Sequence, residues 1–134
     1  MEIKHLKKER TPEKHDYSLG VRLTKEDFKN DKIKEIVLKI KVPSFLSWNS
    51  TKEVQKKEKE NYTIFEIRKE RSLYLEDTPF EILGPESDIG EILYSVTDEN
   101  FSTSYQTEVL GWELYGDGVL AKTGNRPLSE LHNF

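Results

Sequence analysis

The sequence predicts an all-β fold: mostly antiparallel, sandwich-like, a single domain over residues 1–134 with one or two short helical turns. Three observations predict it. Apolar and polar residues alternate with a period of two in several short segments, as in strands with one buried face. Turn-forming residues separate those segments at about the spacing of a sandwich or barrel. No stretch carries the apolar stripe of a long amphipathic helix, which argues against a βαβ fold.

Residues 1–16 are highly charged, with only Ile3 and Leu6 as large apolar residues after Met1, and read as a charged arm or an edge strand. His5 falls within this arm. Thr11-Pro12 interrupts any regular element there. Tyr17, Leu19, Val21 and Leu23 alternate with Ser18, Gly20 and Arg22, a first strand. Thr24 followed three residues later by Asp27 resembles a capping box, so a short helical turn is expected over Lys25–Asn30 with Phe28 as its buried contact. Lys34 to Val42 reads as the next strand, with Ile36, Leu38, Ile40 and Val42 on one face and Lys39 and Lys41 on the other; Pro43 is expected to end it.

The segment Pro43–Ser50 then holds Phe45, Leu46 and Trp48 and no charge. Residues 51–60, TKEVQKKEKE, have Val54 as their only apolar residue and read as a charged flexible excursion between strands. Tyr62–Arg68 is a further strand. Leu73–Leu75 and Phe80–Ile82 are shorter candidates, followed by a turn at Leu83–Asp88.

The densest aromatic and β-branched stretch is 89–123. Ile92, Tyr94 and Val96 mark one strand. Asp98-Glu99-Asn100 marks a turn, and Tyr105, Thr107 and Val109 a second strand. The apolar set then shifts to Leu110, Trp112 and Leu114, and Gly111 at the slip is the expected bulge. Tyr115-Gly116-Asp117-Gly118 is a hairpin turn before the short run Val119-Leu120-Ala121. Gly124–Pro127 is expected to break that last strand, with a final helical turn over Leu128–Leu131.

Composition narrows the chemistry. The absence of cysteine excludes disulfides and thiolate metal sites. The basic start lacks the apolar core of a secretory signal, and no apolar run approaches the about 20 residues of a membrane span. A cytoplasmic protein is the expectation. Net charge is −4, but residues 1–60 carry 16 Lys and Arg against 11 Asp and Glu, and residues 61–134 carry 5 against 14. Such a split marks either a bipolar surface that meets a partner or a solvated surface without consequence.

No catalytic constellation stands out. There is no G-x-S-x-G, and His5 and His132 lie where nothing preorganises a triad. Glu13, His15 and Asp16 form a charge cluster rather than a recognisable ligand spacing, so no metal and no cofactor are expected. The sequence points to a non-catalytic binding module that engages another protein, or its own copy, through loops at one end of the sandwich. Its candidate binding residues are Phe45, Leu46, Trp48, Trp112 and Tyr115. The Phe45–Trp48 segment is either an exposed anchor or the plug of the sandwich end; Trp112 and Tyr115 near a sheet rim suggest a stacking surface. Two alternatives stand beside this. One is a nucleic-acid-binding accessory using Lys39, Lys41, Lys52, Lys56, Lys57 and Lys59. The other is a small-ligand carrier or enzyme with a pocket between the sheets.

Overall fold

The aromatic and branched residues that alternate along the chain meet in one place, between two sheets. A computed structural model describes residues 1–10, 14–29, 32–44, 47–51, 54–70, 73–74, 77–97 and 108–128. Along them run β1 (Glu2–Arg10), β2 (Lys14–Leu23), a 3-10 turn (Lys25–Asp27), β3 (Lys32–Ile33), β4 (Ile36–Pro43), β5 (Ser47–Ser50) and β6 (Gln55–Glu58). Then come β7 (Tyr62–Lys69), β8 (Leu73–Tyr74), β9 (Phe80–Leu83), β10 (Ile92–Thr97), β11 (Val109–Gly116) and β12 (Val119–Pro127). Every pairing among them is antiparallel.

The first sheet has the order β1-β2-β10-β5, with β9 also pairing to β2. The second has the order β12-β11-β4-β7-β6. Strands β3 and β8 form a separate small ribbon. The fold is an all-β sandwich.

Register explains the core. In the first sheet Tyr17, Tyr94 and Trp48 lie side by side, and so do His5, Leu19 and Ile92. In the second, Trp112, Ile40 and Phe65 are paired across β11, β4 and β7. Leu19, Ile40, Phe65 and Ile92 are fully buried, so side chains fill the space between the sheets. The tilted contact of Trp48 with Phe65, ring centroids 6.2 Å apart, joins the sheets at one end.

Several local expectations are met. Thr24 and Asp27 form both halves of the capping box, and Phe28 packs partly buried on the core. Asp117 and Gly118 both take positive φ, 49° and 80°, as a two-residue hairpin turn matched to strand twist requires.

Others are corrected. The bulge is not at Gly111, which pairs in regular register with Lys41 and Asn125; the register shifts between Leu114 and Tyr115, where Ala121 is the extra residue on β12. Strand β12 does not break at Gly124 but continues to Pro127, because its ladder to β11 holds the backbone extended and an edge strand tolerates proline at its end. Pro43 likewise closes β4 from within, paired with Tyr62. Residues 55–58 of the charged excursion are the edge strand β6, held by backbone pairing to β7 rather than by buried side chains. The first residues take the edge-strand alternative, since β1 ends the first sheet, but His5 within it is buried, with Nδ1 hydrogen-bonded to the Tyr94 hydroxyl. The strand expected at Tyr105–Val109, its preceding turn at 98–100 and the final helical turn lie outside the described residues, apart from Glu108, Val109 and Leu128.

Candidate functional site

The sequence-predicted binding residues do not converge. Phe45 and Leu46 lie outside the described residues. Trp48 sits half-buried in β5, its ring 4.5 Å from that of Tyr94, and its Nε1–H donates to the Pro43 carbonyl at 2.6 Å. Trp112 lies on the core-facing side of β11 and packs partly buried against the core. Its indole covers Gly124, the directly paired residue of β12, so closely that a Cβ there would come within 2.7 Å of Cζ2. Tyr115 is three residues further along β11 and therefore on the opposite, solvent face. Its hydroxyl donates to Glu113 Oε2 at 3.2 Å, and partial burial together with the Glu113 carboxylate pushes its phenol above the ordinary value. Trp112 and Tyr115 thus form no common stacking surface.

The basic set is also divided. Register places Lys39, Lys41 and Lys57 on the outer face of the second sheet and Lys56 on the other. Glu113 and Glu66 flank Lys39 directly on its two neighbouring strands, so the patch is interleaved with acids rather than continuous.

What the fold exposes lies elsewhere, on β12. Val119 is 68% exposed and Leu120 48%, and almost every residue of this nine-residue strand is accessible. Among the described residues no strand pairs with its outer side. Its N–H and C=O groups on that side form a template for an added strand. Beside its start a cleft of about 400 Å³ opens, lined by Phe28 and Ile33 on one wall and Leu120 and Ala121 on the other.

Three contacts hold this edge in place. Asp117 Oδ1 accepts from the backbone N–H groups of Lys34 and Glu35, both at 2.9 Å, and its own N–H donates to the Glu35 carbonyl at 2.8 Å. Phe28 lies against Gly116, where a Cβ would meet its ring at 2.7 Å. Lys122 Nζ reaches the buried Asp27 carboxylate at 2.8 Å, and the Met1 ammonium contacts the same oxygen. Burial alone would raise the Asp27 pKa, but hydrogen bonds from Lys122, the Met1 ammonium and the Thr24 N–H outweigh it and hold it below the ordinary value. The same hydrogen bond raises the pKa of Lys122.

The apolar run Val119-Leu120-Ala121 predicts a strand but not its exposure. Periodicity cannot show that no second layer covers a strand. The one available signal was the absence of alternation in VLAKTGNRP, the pattern of a strand with neither face buried.

Among the described residues no three His, Asp or Glu side chains cluster as metal ligands would, and no helix is long and apolar enough to cross a membrane. No protein-family model, curated protein or solved structure matches the chain.

Proposed function

We propose that this chain is a non-catalytic binding module that receives an extended segment of another protein along the outer edge of β12. The observation that carries this reading is the free edge at Val119–Ala121, apolar and accessible, beside the Phe28–Ile33 cleft. Strand addition supplies affinity through main-chain hydrogen bonds and selects its partner through pockets for alternate side chains. The two halves of β12 differ in a way that fits this role. Lys122, Arg126 and Pro127 protect the distal half against indiscriminate pairing, since charges and proline blunt an edge. The proximal half has no such guard. A segment with an apolar residue for the cleft and acidic residues opposite Lys122 and Arg126 suits it.

The test is selection of peptides from a random display library against the wild-type chain, with counter-selection on Val119→Asp/Leu120→Asp. Both side chains are exposed, so the variant retains the fold. Enriched apolar-acidic peptides that bind wild type and not the variant support the reading. Equal binding to both chains, or no enrichment, defeats it. Sedimentation equilibrium of the chain alone separates pairing with a second copy from pairing with a different protein.

A further inference from the structure

A second surface, independent of the β12 edge, lies on the solvent face of the same sheet. Register sets Asn125, Gly111, Lys41 and Ile64 in one row across β12, β11, β4 and β7. Gly111 leaves a gap in that row: a Cβ there would find nothing nearer than the Gly124 carbonyl at 3.8 Å. The gap is the floor of an open groove of about 570 Å³, within the size range of small-molecule sites. Val109, 47% exposed, with Ile64 and the ring of Tyr62 on the same face, gives it apolar walls.

Lys41 is the charged group at its centre. Its cross-strand neighbours, Gly111 and Ile64, carry no charge, and among the described residues it makes no ion pair. Its ammonium instead rests 4.2 Å from the centre of the Tyr62 ring. An ammonium beside an apolar gap, with the Asn125 amide across from it, suits one anionic head group on an apolar body. Glu108 and Glu113 at the rim repel a polyanion such as a nucleic acid.

From this we infer that the Gly111 groove binds a small amphipathic monoanion, its acidic group on Lys41 and its apolar body along Val109, Ile64 and Tyr62. The ligand lies on the face of the sheet and not on its edge, so this site and strand addition at β12 stand or fall separately.

The probe is 1-anilinonaphthalene-8-sulfonate, titrated into the full chain by fluorescence, with uncharged N-phenyl-1-naphthylamine as the charge control. Lys41→Gln is a solvent-face change that leaves the fold intact. It is expected to weaken the sulfonate about tenfold, the loss of one charge-assisted contact, and to leave the neutral probe unchanged. Gly111→Leu fills the floor from an open, solvent-facing position and is expected to abolish binding of both; a thermal melt confirms that it is folded, and Lys41→Gln decides the matter if it is not. Saturable binding with these losses supports the site. Absence of saturable binding, or equal affinity in wild type and Lys41→Gln, overturns it.

Discussion

Lys122 Nζ lies 2.8 Å from Asp27 Oδ1, tying the edge strand β12 to the 3-10 turn packed beneath it. The carboxylate is buried and the lysine is not, so the pair anchors an otherwise exposed strand by one end. Asp27→Ala removes the acceptor for both Lys122 and the Met1 ammonium and is expected to cost about 3 kcal/mol at neutral pH, read by urea denaturation. The pH dependence has a definite sign. Because the folded carboxyl titrates below 3.8, the unfolded chain binds the proton more readily, and the stabilisation is complete above that value. It fades as pH falls from 3.8 through the folded pKa. The gap between wild type and Asp27→Ala should therefore narrow in that acidic window and stay constant from pH 5 to 7.

Trp112 occupies space that only glycine at position 124 leaves open. Gly124→Val is expected to destabilise by about 2 kcal/mol through overpacking against the indole, with a shift in tryptophan fluorescence. Combining it with Trp112→Leu relieves the clash. The double variant should be more stable than the sum of the single changes by about 1 kcal/mol. Strict additivity would show that the indole does not pack on that backbone.

Trp48 tests plug against anchor. Its ring touches Tyr94 and Phe65, and its N–H is bonded to Pro43. Trp48→Phe should cost about 1 kcal/mol by loss of that hydrogen bond, and Trp48→Ala about 3 kcal/mol by loss of packing across the sheets. Unchanged thermal stability in Trp48→Ala, with loss of a bound partner, would make the residue an anchor.

Tyr94→Phe keeps the ring stacked on Tyr17, whose centroid is 5.2 Å away, and removes only the hydroxyl bonded to His5 Nδ1. Its expected cost is about 1.5 kcal/mol, since the imidazole stays buried without that bond. Full retention of stability would show that the hydroxyl contributes nothing to the cluster.

The amino-acid order alone determined the strand character of this chain. Tyr17–Leu23, Ile36–Val42 and Ile92–Tyr94 alternate because each has one face turned to the core, and that constraint is written residue by residue. The Thr24 cap and the Asp117-Gly118 turn were legible for the same reason: their chemistry acts over two or three residues. Burial of His5, the site of the bulge at Ala121, the accessible edge of β12 and the gap at Gly111 were decided only when strands far apart in sequence paired. A charged neighbourhood hides a core histidine, because the burial of His5 comes from β2 and β10 and not from its own strand. Likewise Val119 and Leu120 read as ordinary strand residues. They become surface because, among the described residues, β12 ends its sheet and no layer closes over it, a property of strand order that no local pattern encodes.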